Sequence, residues 1–205
     1  MNRQQILKLT QCAILSTIII VMTFVPYLGY IQTPYLALTT IQIPVAIGAI
    51  LLGPMYGIVL GAVWGVTCLL NAPLMGPMAV PFLNPLVSVV PRVAVGLVAA
   101  LIYLGLRKVL KPRFPLFALT GLCTSLLNTI FVLGMLTWTK GGGFIDSALL
   151  SSLLTYAISI NGIVEMSACF LLVGAIGQAL LRAKVVRGAK SEEKQQDSAL
   201  TSEKM

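Results

Sequence analysis

The chain has no histidine, only six acidic residues among 205, and 10% charged residues in all. A soluble domain carries roughly 25% charged residues, so a water-facing globule is excluded at the outset. Glu165 is the single acidic residue inside an apolar stretch. With no histidine beside it, neither a transition-metal site nor a Ser-His-Asp machine has anything to be built from. The four cysteines, Cys12, Cys68, Cys123 and Cys169, stand far apart, make no C-x-x-C pair and read as small buried side chains. A G-x-x-x-x-G-K-[ST] phosphate loop is missing too. In TKGGGF (139–144) the lysine precedes its glycines, so the chain is not expected to hydrolyse ATP or to hold a cofactor of its own. Nor is there a line of intramembrane carboxylates for proton or sodium coupling.

What is present is apolar. Hydrophobic residues make up 58% of the chain and the mean hydropathy is +0.95, the composition of an integral membrane protein. A β-barrel would need alternating polar residues, which are absent. No cleavage site follows the first apolar segment, which is therefore expected to remain as a helix. The fold class expected is an all-α integral membrane protein with six transmembrane helices, at 5–25, 42–53, 54–71, 84–107, 114–138 and 149–183. The second is short for a full span. Gly53-Pro54 marks a tight break before the third, and the two are expected to form a hairpin. This membrane-embedded unit takes up residues 1–187. The polar tail GAKSEEKQQDSALTSEKM (188–205) is expected to be disordered.

The net charge of +8 reports topology. Arg3, Lys8, Arg107, Lys108, Lys111, Arg113, Arg182, Lys184, Arg187, Lys190, Lys194 and Lys204 fall at the amino terminus, after the fourth helix and in the tail. The positive-inside rule assigns these segments, and so both termini, to the cytoplasm. Of the lysines and arginines, the expected outer segments hold only Lys140. Residues 26–41, PYLGYIQTPYLALTTI, are long enough to lie across the outer mouth as a lid or to serve as a plain connector. Residues 71–85, NAPLMGPMAVPFLNP, are expected to be similarly irregular.

Two patterns carry further information. Gly53, Gly57, Gly61 and Gly65 recur at every fourth position and strip one face of the third helix of side chains, which favours close helix packing. On the first helix, Cys12-x-x-x-Ser16 and Ala13-x-x-x-Thr17 make a weaker small-residue face, suited to internal packing or to a partner subunit. The second pattern is SVVPRVAVG (88–96), which sets Pro91 and Arg92 in an apolar run. Arg92 falls roughly 12 Å below the outer end of its helix. An arginine in hydrocarbon costs at least about 2.5–3.5 kcal/mol, and such residues face a bundle interior or a wet cavity. Snorkelling to the interface and pairing with Glu165 are the plainer alternatives. Depth disfavours the pair, because Glu165 lies roughly 12 Å deeper. Pro91 loosens the local backbone bonding, and Gly96 leaves room one turn below Arg92.

The same ruler puts Asn128 level with Arg92, Trp64 and Asn161 near mid-depth, and Asn71 near the outer surface. Each amide is as readily helix glue as ligand contact. Together they would ring a cavity suited to a small monoanion with hydroxyl or amide groups, because a guanidinium grips a carboxylate through two parallel bonds.

The stretches IQIPVAIGAILLGPMYGIVLGAVWGVTCLLNAP, VVPRVAVGLVAALIYLGLRK and NGIVEM, in this order, resemble the substrate-binding S component of energy-coupling factor (ECF) vitamin transporters, most closely the pantothenate type. The resemblance extends over most of residues 5–183. It implies a multi-pass subunit of a prokaryotic plasma membrane that captures a vitamin outside and joins a transmembrane scaffold subunit and two cytoplasmic ATPases. ATP is then used by those partners, and toppling in the membrane carries the vitamin inward. It also implies that Arg92 holds the vitamin carboxylate, with Asn128, Trp64 and Gln42 or Asn71 on its amide, hydroxyls and apolar body. The docking face usual on the family's first helix, Ala-x-x-x-Ala, here reads Ala13-x-x-x-Thr17 beside Cys12-x-x-x-Ser16. Riboflavin or pyridoxine is an alternative ligand on the same fold. A structural membrane protein or a stand-alone carrier remains a rival reading.

Overall fold

The computed structural model describes residues 3–32, 37–75, 77–110, 113–140, 151, 162–180 and 182–183. In chain order the elements are α1 (Arg3–Phe24), β1 (Tyr30–Gln32), β2 (Ala37–Thr39), α2 (Gln42–Leu52), α3 (Pro54–Asn71), α4 (Pro85–Ser88), α5 (Val90–Val109) and α6 (Arg113–Lys140), followed by α7 (Gly162–Leu180). Among the described residues five apolar stretches are long enough to cross a bilayer: Gln5–Phe24, Pro54–Leu74, Pro85–Val109, Phe114–Thr139 and Gly162–Leu180. With the shorter α2 they give the six-helix membrane fold expected. Residues 149–150 and 152–161 of the last expected helix, and the tail 188–205, lie outside the described residues.

The helices sort by how much backbone they let others approach. A Cβ at Gly57 would run into the Gly96 carbonyl, one at Gly61 into the Arg92 carbonyl, and one at Gly65 onto the Val89 Cα. The glycine face of α3 is thus the seat of α5, and the two backbones meet there directly. Gly53 differs from the other three. A Cβ there meets nothing within 4 Å, but φ is +102°, a conformation that L side chains resist. It makes the turn between α2 and α3 and is not a rung of the ladder, because it precedes the helix that Pro54 opens.

The expected helix over 84–107 is interrupted. The short α4 is capped by Asn84, whose side chain accepts the Leu86 N–H at 3.0 Å, and a turn at Val89 separates it from α5. Pro91 consequently stands in the first turn of α5, where its missing N–H breaks no bond of that helix. The connector over 71–85 contains two 3₁₀ turns, Ala72–Leu74 and Pro77–Leu83.

The segment over 26–41 contains more order than its composition suggests. β1 and β2 form an antiparallel ribbon with Tyr30 opposite Thr39, Ile31 opposite Leu38 and Gln32 opposite Ala37. Thr40 closes its base, donating its hydroxyl to the Leu28 carbonyl at 2.7 Å and its N–H to that of Gly29 at 3.0 Å. Tyr30 is buried and joins the core formed by Ile19, Ile41, Val45, Leu60, Trp64 and Val95. Hydroxyls along the spans turn back on their own helices: Thr10, Thr17, Thr120, Thr124 and Ser167 each donate to the carbonyl four residues earlier. Neither hydrocarbon nor a packed apolar interior satisfies a hydroxyl, and the helix's own carbonyl is the nearest acceptor.

Candidate functional site

Arg92 is 5% exposed. Its guanidinium lies between two rings, 5.5 Å from the Trp64 centroid and 5.1 Å from that of Phe82. Ring quadrupoles hold a cation without consuming its N–H donors. One donor is used locally. In an unbroken helix the Val87 carbonyl would accept from residue 91, which is proline and has no N–H; Arg92 Nη1 donates to that carbonyl at 2.7 Å instead. The Pro-Arg pair is therefore one device: Pro91 has no N–H to give the Val87 carbonyl, and Arg92 supplies that bond from its side chain. The bond at Nη1 leaves the opposite edge of the fork, and Nε is buried without a partner. Among the described residues Arg92 forms no ion pair, with Glu165 or with any other carboxylate.

Glu165 is engaged elsewhere. Gln42 Nε2 donates to its Oε1 at 2.8 Å, and the same amide nitrogen lies 3.1 Å from Ser125 Oγ and 3.0 Å from Cys169 Sγ. The Thr39 backbone N–H also donates to the Glu165 carboxylate. This cluster joins α2, α6, α7 and the ribbon. Gln42 is fully buried, yet its Oε1 has no partner, and neither does the Oδ1 of the buried Asn128. An unpartnered buried polar atom costs about 1–3 kcal/mol, so three of them on α2, α5 and α6 require an explanation.

The surroundings of Arg92 are aromatic. Trp64 Nε1 donates to the Tyr30 hydroxyl at 3.2 Å, so the ribbon rests on the ring that faces Arg92. Burial pushes the Tyr30 phenol well above its ordinary range, and it stays a neutral hydroxyl. Phe82 and Phe131 pack against the same core, and Phe131 lies one turn from Asn128 on α6. A buried cation, two free acceptors and an aromatic wall suit an anionic organic molecule that also carries hydrogen-bond donors.

A family model for the ECF transporter substrate-specific component matches residues 7–177. The chain belongs to that family. The substrate-specific component is a transport subunit, and this one is a multi-pass membrane protein. A curated relative, the pantothenate transporter PanT of Leuconostoc mesenteroides subsp. mesenteroides, is 31% identical over 180 residues, which cover 80% of this chain and 87% of the relative.

Within this S component the sequence-predicted residues separate. Arg92 and Trp64 are in direct contact, and Gln42 and Asn128 each present a free acceptor. Asn71 is committed to a different place: its Nδ2 donates to the Thr23 carbonyl at 3.1 Å, beside the meeting of the Thr23 and Thr67 hydroxyls at 3.1 Å. This polar seam joins α3 to α1. Asn161 lies outside the described residues. On α1, Ala13 and Thr17 are exposed and Ser16 is half-buried, whereas Cys12 is buried in the core. The sequence reading missed Tyr30, Phe82 and Ser125. Ser125 had a signal, since it precedes Asn128 by one helical turn and shares its face. Phe82 and Tyr30 had none, because each lies in a connector whose path only the fold defines.

Proposed function

We propose that this S component captures pantothenate (vitamin B5) at the outer side of a prokaryotic plasma membrane and delivers it inward by docking and toppling with an ECF scaffold subunit and two cytoplasmic ATPases. The observation that carries this reading is the trio of unpartnered buried atoms, Arg92 Nε, Gln42 Oε1 and Asn128 Oδ1. Pantothenate is a monocarboxylate with an amide and two hydroxyls. Its carboxylate suits the free edge of Arg92, its donors suit the two side-chain acceptors, and its dimethyl carbon suits Trp64 and Phe82. The 31% identity to a pantothenate transporter supports the same ligand.

Both termini are assigned to the cytoplasm from the positive-inside distribution, and the energy comes from ATP used by the partners. Docking is assigned to α1. Most of its span is exposed, and the Thr17 hydroxyl donates to the Ala13 carbonyl at 3.0 Å. A threonine folded back in this way presents its methyl group, so Ala13-x-x-x-Thr17 offers a small apolar face to the scaffold. Ala13→Trp is expected to leave pantothenate binding unchanged and to abolish co-purification with the scaffold subunit; co-purification at the wild-type level would remove the docking assignment.

The test of the ligand is equilibrium binding of a vitamin panel to the purified protein in detergent, with Arg92→Ala alongside. Tight binding of pantothenate that is lost in the variant is the expected result. Tight binding of riboflavin or pyridoxine instead would reassign the ligand, and binding of no vitamin would favour a structural role.

A further inference from the structure

We infer that Glu165 is a positioning residue that sets specificity: it decides which end of the Gln42 amide faces the ligand. The inference rests on the proposed placement of Gln42 at the vitamin site, with pantothenate as the probe. Gln42 has two interchangeable faces, one a donor and one an acceptor. Its nitrogen points at three groups. Two of these do not discriminate, because the Ser125 hydroxyl and the Cys169 thiol both donate as well as accept. Ionised, the Glu165 carboxylate only accepts. If the Gln42 amide turned over, its oxygen would stand against a carboxylate oxygen at hydrogen-bond distance. Glu165 is itself held by the Thr39 N–H of the ribbon, which gives it a fixed position from which to act.

The consequence lies at the opposite end of the amide. With the nitrogen drawn toward Glu165, Oε1 is left buried and unpartnered, and the site offers an acceptor at that point. A ligand hydroxyl or amide N–H is matched there. A ligand presenting a carbonyl at the same point is rejected, because two acceptors would face each other. Glu165 therefore acts on selectivity without touching the ligand, and it needs no ion pair with Arg92 to do so.

The experiment uses the full-length protein in detergent, with Glu165→Gln, Gln42→Ala and the double variant. Glu165→Gln keeps the volume and removes the preference, since a second amide presents either end. The affinity for pantothenate is expected to fall about 2- to 10-fold, the range of one neutral hydrogen bond. In the Gln42→Ala background the same change is expected to add almost nothing. Equal losses in both backgrounds would show that Glu165 acts by some route other than Gln42, and would overturn the proposal. A second readout needs no ligand. The 15N side-chain amide signal of Gln42, assigned by its disappearance in Gln42→Ala, is expected to shift toward ordinary values in Glu165→Gln. An unchanged signal overturns the proposal even if pantothenate proves not to be the ligand. A changed signal, with another vitamin bound in place of pantothenate and the same dependence on Gln42, keeps it and removes only the choice of vitamin; a changed signal with no vitamin bound overturns the specificity role.

Discussion

Arg92 and Glu165 both bring an ionisable group inside an apolar bundle, and they are held in opposite ways. Arg92 sits between two ring faces and gives one bond to a backbone carbonyl. Glu165 accepts from a side-chain amide and from a backbone N–H. The difference lies in what remains available. Rings attract a cation through their quadrupole and leave its donors free, whereas hydrogen bonds occupy the acceptors they satisfy. The arginine keeps an edge for a ligand; the carboxylate is used to organise the protein. A buried charge is therefore read by what is left over once the protein's own bonds are drawn, and not by its depth alone.

The largest expected effect comes from removing the ring-held charge. Arg92→Ala should weaken pantothenate binding by at least about 100-fold, the scale of a bidentate charge-assisted pair in a buried site. Titration calorimetry in detergent measures it, and a loss below tenfold would end the contrast drawn between the two charges. Next comes the backbone that carries Arg92. Gly61→Ala pushes a methyl group against the Arg92 carbonyl, and the overpacking should cost about 1–3 kcal/mol of stability. Gly53→Ala meets no atom and should cost less, about 1 kcal/mol, through its positive φ alone. Thermal unfolding of both variants decides the order, and Gly53→Ala as the more harmful of the two would contradict the assignment of Gly61 as the α5 seat. The smaller change in Glu165→Gln then probes the other charge as described above. The smallest effect on binding is expected for Asn71→Ala. Its amide belongs to the α1–α3 seam, so stability should fall by about 1 kcal/mol while pantothenate affinity stays within a factor of about two. A tenfold loss of affinity would return Asn71 to the binding site.

Much of the architecture is legible in the sequence. The positions of α1, α2, α3 and α6 follow from runs of apolar residues and their Gly-Pro punctuation, which are local properties. Arg92 stands out because charge in hydrocarbon is costly wherever the chain goes. Other features were not legible. The turn at Val89 was hidden because a proline in an apolar run fits a kinked helix as well as a helix start, and only the route of the preceding 3₁₀ turns separates the two. The ribbon at Tyr30–Thr39 was hidden because two strands of three residues leave no measurable alternation. Asn71 illustrates the limit for amides. Its depth suggested the mouth of the site, but the carbonyl it bonds belongs to a helix 48 positions away.

The sequence by itself determined that this chain lives in a membrane, where its apolar spans run, which cation stands inside them and which family it resembles, since composition, hydrophobic spacing and short motifs are written residue by residue. Only the tertiary structure decided which polar atoms are satisfied and which are left over. Gln42 and Glu165 are 123 positions apart, Trp64 and Tyr30 are 34 apart, and Phe82 reaches Arg92 from a connector. Such partnerships depend on helices packed at a few ångströms' tolerance, and a site made of leftover donors and acceptors exists only once every other pairing has been made.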